Sequence, residues 1–252
     1  MARARNALLG LLGLVVAGNV AGQVPVDSGL PGRLRVNASG LRPSELVYDM
    51  TLERDAGTTL IGTRTVSVTP MTYAGTPAWL LLESRSTDGT VGSDSLVADT
   101  AALRPLHWGS AIGEARLATE FRVDSAFGGT SGPPGRRSIV AATPPGTLVS
   151  GAMLETVLRL VPLSATWEDS ATTLSVTLGG NANLPTRLAV IGEDQVRVPA
   201  GTFDCWVVAV HTDQSRGLYW VTKVDPIVVR TVLDVPSLGG AQLVSALTRI
   251  AR

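Results

Sequence analysis

The sequence contains only one cysteine and two histidines in 252 residues, and this scarcity limits the chemistry it can support. A single cysteine cannot form an internal disulfide, so the fold must be held together by packing. His107 and Cys205 are far apart in the chain, unlike the closely spaced ligands of a structural zinc site. The spacings G-x-S-x-G, H-E-x-x-H, C-x-x-C and the P-loop are also missing. We therefore expect no metal, no cofactor and no catalytic residue of a familiar type.

An excess of charge of either sign is also missing. The chain has 21 basic and 21 acidic residues, and its first 22 residues carry two arginines and no acid. Without them 19 basic and 21 acidic residues remain, a net charge of −2. Binding to a nucleic acid backbone relies on a surplus of Lys and Arg, so nucleic acid is not an expected partner.

Long apolar runs are absent except at the N-terminus. Arg3 and Arg5 precede an apolar run over 7–18, which is followed by small residues before Gln23. This pattern is typical of a secretory signal peptide. The run is shorter than the roughly 20 residues that span a bilayer, so no transmembrane anchor is expected after cleavage. We expect an exported protein, periplasmic or extracellular, from which residues 1–22 are removed.

The rest of the chain is dominated by alternating apolar and polar residues, a pattern typical of strands with one buried face. The clearest alternations predict strands at 46–54, 115–124 and 172–178. Turn residues separate further predicted strands near 59–69, 77–86, 187–198, 203–212, 218–224, 227–234 and 242–250. Clean alternation favours an antiparallel sheet.

Two segments depart from this pattern. Residues 150–162 place Met153, Val157 and Leu160 at helical spacing, with Ser150 as a cap, and they predict the one substantial helix. The Gly- and Pro-rich stretch 125–147 predicts an exposed loop, either a plain connection or a lid. The predicted organisation is a signal peptide at 1–22, a flexible segment at 23–44 and a single domain at 45–252.

The stretch VRVPAGTFDCWVVAVHTD contains Cys205 and His211 and raises the question of a thiol catalyst. In a strand these residues share a face but lie about 20 Å apart, at roughly 3.4 Å per residue. A nucleophile and its base must be in hydrogen-bond contact. We therefore interpret Cys205 as a small buried hydrophobic residue in a hairpin that clusters Trp206, Tyr219 and Trp220.

The C-terminal third contains, in order, GEDQVRVPAGTFDCWVVAV, GLYWVTKVDPIVVRTVL and AQLVSALTRI. This series resembles a family of exported bacterial envelope proteins of unknown function, with a V-x-V-P-A-G-T-F-x-C-like hairpin, a Y-W strand and a closing strand. That family is similar in fold to the lipoprotein-localisation carriers. The resemblance implies a mainly β protein, in which a strongly curved antiparallel sheet wraps one helix as an incomplete, glove-like barrel with an apolar concavity.

A concave sheet lined by aromatic residues suits an apolar or amphipathic ligand. The expected function is non-enzymatic binding of a lipid or acylated peptide in the cell envelope. The candidate lining residues are Trp79, Leu81, Met153, Val157, Trp206 and Trp220. Two alternatives stay open: a structural or interaction module with an envelope protein partner, whose own helix fills the cavity, and an enzyme, which polar groups converging on His107 would favour.

The N-terminal pattern predicts that the mature protein begins within a few residues of Gln23. N-terminal sequencing of the exported protein from a bacterial host checks this. Exported material that still begins at Met1 would contradict it.

Overall fold

The computed structural model describes residues 34–251 except for 88, 134, 150, 178–179 and 236–237. The predicted signal peptide, the first part of the predicted flexible segment, Ser150 and Leu178 lie outside the described residues. The part of that segment that is described packs against the sheet. Leu34, Ala38 and Leu41 are buried, and Ala38–Gly40 forms a short 3-10 helix.

The described strands form one 15-stranded sheet in the order β8 to β1 and then β15 to β9. All neighbouring strands are antiparallel except the short pair of β9 and β10. The mainly β fold predicted from the sequence, a curved and unclosed antiparallel sheet around one helix, is confirmed. The helix, α1, is Gly151–Leu158. The strands are β1 Ser44–Arg54, β2 Gly57–Tyr73, β3 Thr76–Thr87, β4 Thr90–Asp99, β5 Pro105–Ile112, β6 Ala115–Phe121, β7 Ser125–Gly132, β8 Gly135–Ala142, β9 Thr147–Leu148, β10 Glu168–Thr177, β11 Gly180–Val198, β12 Gly201–His211, β13 Arg216–Thr222, β14 Val228–Val235 and β15 Ala241–Ala251.

The loop predicted over 125–147 is wrong, because this stretch forms β7, β8 and β9. Its glycines are needed where neighbouring strands come unusually close. A Cβ atom on Gly128 would lie 2.0 Å from the carbonyl oxygen of Ala118, and one on Gly129 would lie 2.8 Å from that of Arg137. Glycine in a strand marks such close approaches as well as loops.

The face of the sheet that meets α1 is called the inner face. Three registered rows of residues cross it from β1 or β2 towards β8, and each row can be followed strand by strand. The first row is Tyr48, Arg64, Arg85, Gly92 and Ile112; the second is Leu46, Val66, Glu83, Asp94, Ser110, Leu117 and Thr130; the third is Val68, Leu81, Leu96, Trp108, Thr119, Gly128 and Ile139.

Helix α1 is buried on nearly every side, which is expected of a helix that lies within a curved sheet. Val157 and Leu158 have no exposed surface, and Met153 is almost fully buried. Glu155 is also buried, although a charged residue is rarely found inside without a partner. The partner of Glu155 is therefore central to the interior.

The outer face is covered in part by the hairpin of β11 and β12. This hairpin folds back so that the Ala200 N–H donates to the carbonyl oxygen of Leu247 in β15 at 3.0 Å. A register shift between Val190 and Gly192 accompanies the bend. Bulges of this kind bend a strand and increase its twist.

One end strand of the sheet, β8, meets β11 at a seam made by side chains. The Nδ2 group of Asn183 in β11 donates to the carbonyl oxygen of Ala142 in β8 at 2.8 Å, and that of Asn181 donates to Val140 at 3.4 Å. No backbone ladder joins β8 to β11 among the described residues. The amide side chains thus satisfy carbonyl groups that an open edge strand would expose.

Replacing both Asn181 and Asn183 with Ala should loosen β8 selectively. Each lost hydrogen bond is worth about 1 kcal/mol of local stability. Hydrogen exchange of the β8 amides should therefore become faster, whereas exchange in the β1–β2 pair should not change. Unchanged exchange in β8 would show that the seam does not depend on these side chains.

Candidate functional site

The inner face carries a buried ion cluster, which consists of Arg64, Glu83, Arg85, Asp94 and Glu155. The first four come from neighbouring positions of β2, β3 and β4, and Glu155 comes from α1. Every one of these side chains is at most 8% exposed. Strand alternation places the four charges of β2, β3 and β4 inside, because each occupies an inner-face position of its strand.

The cluster is a chain of ion pairs. Arg64 pairs with Glu155 and lies 3.8 Å from Glu83. Arg85 pairs with Asp94 and lies 3.3 Å from Glu83. Glu83 thus bridges the two guanidinium groups, and the chain runs from α1 to β4.

Burial controls the protonation of the cluster. It raises the pKa of Glu155, with Arg64 opposing the rise and Glu83 adding to it. It also raises the pKa of Asp94, against Arg85. Burial alone would lower the pKa of Arg64, but Glu155 and Glu83 outweigh it and raise that pKa overall.

Tyr48 flanks the cluster on β1. The Arg64 guanidinium lies 4.7 Å from the centre of the Tyr48 ring, and the Tyr48 hydroxyl donates to the carbonyl oxygen of Val228 at 2.8 Å. Burial raises the pKa of the Tyr48 phenol. The ring therefore acts as a neutral, ordered wall for the guanidinium.

Several buried polar atoms in and beside the cluster make no hydrogen bond with another protein group. They include Nε of Arg85, Oγ1 of Thr87 and Oε2 of Glu155. Nε of Arg64 makes no hydrogen bond either, but it lies 3.8 Å from Oε1 of Glu83 in an ion pair. Nε1 of Trp79, on the same face of β3, is another. Buried polar atoms almost always have a partner, so these atoms are expected to meet a water molecule or another bound polar group.

Apolar side chains continue from the cluster along the inner face. The second row passes from Asp94 through Ser110 to Leu117, and strands lie about 4.8 Å apart. Ile112, Leu117 and Phe121 are only half-buried, unlike the core beneath α1. A polar cluster next to a partly uncovered apolar surface matches the two halves of an amphipathic molecule.

Four of the six residues predicted to line a ligand site lie in this interior. Leu81 and Val157 have no exposed surface, and Met153 is 4% exposed, so all three are packed within the protein's own core. Trp79 is half-buried and packs against that core. Their contact with a ligand stays a prediction.

The other two do not share a lining, which corrects the expectation that one concave face carries both. In the register of β12 and β13, Val207 faces Trp220, whereas Trp206 faces Val221, so the two rings lie on opposite faces. Trp220 donates from Nε1 to Asp194 at 2.9 Å. Lys223 lies 4.4 Å from the centre of the Trp206 ring and pairs with Glu193.

Cys205 is fully buried, as its interpretation as a packing residue requires. Its Sγ atom lies 3.6 Å from the carbonyl oxygen of Phe203. Burial, reinforced by Asp194 and Asp204, raises the pKa of the Cys205 thiol to about 12. A thiol that stays protonated at neutral pH is a poor nucleophile.

Polar groups do converge on His107, but they do so on the outer face. Its Nδ1 lies 2.8 Å from one oxygen of Glu120, and the Tyr73 hydroxyl donates to the other at 2.9 Å. The only hydrogen-bond partner of the His107 ring among the described residues is this carboxylate, which orients the imidazole without supplying a nucleophile. The arrangement resembles an exposed polar cluster more than a catalytic triad.

No group of three or more His, Cys, Asp and Glu residues in the described part of the chain is placed to hold a metal ion. No helix there has the length and apolar character needed to span a membrane.

Comparison with known proteins places the chain in a family. Residues 47–242 match the family described as "Protein of unknown function (DUF3108)". The chain belongs to this family. The structure of this DUF3108 protein is similar to the crystal structure of a beta-barrel-like protein of domain of unknown function DUF1849 from Brucella abortus. The two share 12% identity and a TM-score of 0.52 over 86% of this chain and 98% of the other, a likeness of fold alone. No curated protein matches the chain.

The sequence analysis missed the ion cluster of this DUF3108 protein, although a signal was present. Along β3, Trp79, Leu81, Glu83 and Arg85 follow one another at period two, so the charges occupy positions that continue an apolar face. A charge in such a position predicts a buried partner, because unpaired buried charges are very costly.

The cluster predicts a large difference between two arginine substitutions. Arg64→Met leaves Glu155 buried without its partner and should lower the free energy of unfolding by about 3–5 kcal/mol. Arg249→Met removes an exposed pair with Glu45 and should have a much smaller effect. Urea unfolding measures both, and equal effects would contradict the structural role of the buried pair.

Proposed function

We propose that this protein is exported and binds an amphipathic ligand on the inner face of its sheet without catalysing a reaction. The apolar part of the ligand lies on β5 and β6, and its polar part meets the Arg85–Asp94 end of the ion cluster. Lipids and acylated peptides have this chemistry. The proposal makes no claim about the periplasm as against the outside of the cell.

One observation carries this proposal: buried donors without protein partners lie next to half-buried apolar side chains. Nε of Arg85 and Oγ1 of Thr87 are such donors, and Ile112 lies in the same row as Arg85, two strands away. A hydrogen-bond donor that is neither solvated nor paired costs about 1–3 kcal/mol. A bound polar group would remove that cost.

Helix α1 is short compared with the sheet that surrounds it. Its eight residues span about 12 Å, much less than the width of a sheet with this many strands. The helix covers part of β3. A Cβ atom built on Gly151 would lie 3.4 Å from Oε2 of Glu83. On the inner face of β5 and β6, Ile112, Leu117 and Phe121 are half-buried, whereas Trp108 and Thr119 are buried.

A structural or interaction module is the second candidate function, and the burial of α1 favours it. Val157 and Leu158 fill the concavity to zero exposure, so part of the space expected for a ligand is occupied by the protein itself. In that case the ion cluster would serve only to fix the helix. The two functions differ in whether the inner face of β5 and β6 is occupied by another molecule.

Native mass spectrometry of protein from an exporting host distinguishes the two functions. We expect a co-purified lipid or acyl compound with the unmodified protein. Leu117→Asp should abolish it by placing a charge on the apolar surface, whereas Ala118→Asp, on the adjacent outer-face position, should not. A ligand-free mass, together with no change of tryptophan fluorescence on titration with fatty acids and phospholipids, would favour the structural module.

A further inference from the structure

Two arginines and a histidine lie side by side on three neighbouring strands. Arg187 in β11 is paired in register with His211 in β12, and His211 is paired with Arg216 in β13. Residues that are directly opposite in an antiparallel pair share a face, and their Cβ atoms lie about 4.5–5.5 Å apart. The three residues therefore form one continuous line across the sheet, which is called the basic row.

The basic row lies on the outer face of the sheet. Burial raises the pKa of the Tyr219 phenol and the Glu155 carboxylate of α1 adds to the rise, so Tyr219 in β13 points inward. Arg216 is three positions away from Tyr219, and an odd number of steps along a strand leads to the opposite face. Arg187 and Arg216 are exposed, and His211 is half-buried. The basic row is therefore open to solvent and separate from the inner face.

The side chains of the basic row have no partner within the described part of the protein. Some exposed arginines pair with acids, as Arg104 does with Asp99 at 3.3 Å and Arg249 does with Glu45 at 2.8 Å. Among the described residues, no ion pair or hydrogen bond is formed by the side chains of the basic row. Their donors are therefore available to another molecule.

Two acids border the basic row without pairing with it. Asp213 is exposed in the turn that follows His211. The register of β13 and β14 places Asp234 beside Arg216, but the Asp234 carboxylate accepts from Nε2 of Gln242 at 3.0 Å. Neither acid forms an ion pair with an arginine of the row. The two guanidinium groups thus present their positive charge to solvent.

The donors of the basic row suit a phosphate group. A guanidinium presents several N–H donors in a planar fork that matches phosphate oxygens, and an imidazole N–H can donate whether the ring is neutral or protonated. Arg187 and Arg216 are two strand spacings apart, about 10 Å, so their long side chains can approach one anion from both sides of His211. Ser170 in β10, opposite Arg187, extends the row by a hydroxyl.

We infer that the basic row binds a phosphate group, with Arg187 and Arg216 as its charged contacts and His211 as the donor between them. A free phosphate ion and a phospholipid head group present the same oxygen atoms, and the experiment distinguishes these two sources. The inference goes beyond the proposed function and is independent of it, because it concerns the opposite face of the sheet.

Histidine NMR reports on this site directly, because the chain contains only two histidines. Protein from an exporting host, labelled with carbon-13 in its imidazole rings, is titrated with sodium phosphate at pH 7 and at an ionic strength held constant with sodium chloride. The His211 signal should shift and saturate. The His107 signal should not shift, because that ring is bonded to Glu120 on another part of the sheet. His107→Gln assigns the two signals.

Vesicles test the lipid head group as the source of the phosphate. Co-sedimentation is measured with vesicles of phosphatidylcholine that contain phosphatidylglycerol and with vesicles of phosphatidylcholine alone. If a lipid head group is the ligand, the protein should bind the vesicles that contain the anionic lipid and not those of the zwitterionic lipid alone.

Arginine substitutions link the binding to the basic row. Arg187→Gln and Arg216→Gln each remove one positive charge and should weaken binding by about fivefold. Arg197→Gln is the matched control, because Arg197 is exposed in the same strand as Arg187 but lies opposite Thr202. It should leave the dissociation constant unchanged. Circular dichroism checks that each variant is folded.

The outcomes either support the inference or overturn it. Saturation by free phosphate without binding to vesicles assigns a soluble phosphate, and vesicle binding that depends on both arginines assigns a lipid head group. The inference is overturned if neither probe binds, if the His107 signal shifts together with that of His211, or if Arg197→Gln weakens binding as much as the other two variants. It is also overturned if both of those variants bind as tightly as the unmodified protein. Co-purification of an inner-face ligand should be the same in all three arginine variants, so the proposed function stands or fails separately.

Discussion

The ion pair between Arg64 and Glu155 is the interaction on which the interior depends, because it joins the one described α-helix to the sheet by charge as well as by packing. Apolar contacts alone allow a short helix to slide or rotate on a smooth face, whereas a guanidinium and a carboxylate must meet at one position. Arg64 is itself held by Tyr48 and Glu83. Side chains from β1, β2 and β3 therefore fix the position of the helix together.

The position of the cluster also follows from the constraint that a curved sheet sets on side-chain size. Gly92 lies between Arg85 and Ile112 in the first row, and a Cβ atom there would lie 3.3 Å from Ile112 and 4.0 Å from Nε of Arg85. The missing side chain leaves room for the long arginine to extend across β4. Further along the sheet, Gly128 allows the close approach of β6 and β7. Some glycines therefore allow neighbouring strands to come close together, and Gly92 makes space for a buried arginine.

Much of the fold was predictable because period-two alternation reports burial directly. Leu46, Tyr48, Met50 and Leu52 are all buried, as their alternation in β1 predicts. The prediction failed where a strand carries a charged residue or a glycine in place of an apolar residue. Asp94 on the inner face of β4 and the glycines of β7 are examples. The faces of Trp206 and Trp220 depend on the pairing of β12 with β13, which is a tertiary property. The ion cluster depends on contacts across three strands and a helix. The sequence shows only that charged residues occupy positions that continue an apolar strand face.

Burying five charged side chains costs free energy, and this cost bears on what the cluster is for. Replacing a buried group of ion pairs with apolar side chains of similar size is often neutral or stabilising, so such a cluster contributes little to stability that Leu and Val could not supply. This chain instead keeps five charged side chains inside and leaves several of their polar atoms without a protein partner. Violations of the packing and hydrogen-bonding rules concentrate at functional sites. The outer-face cluster around His107 breaks none of these rules, since its groups are at least partly exposed and bonded to one another. This difference between the two clusters supports the proposal that the function of this sheet lies on its inner face.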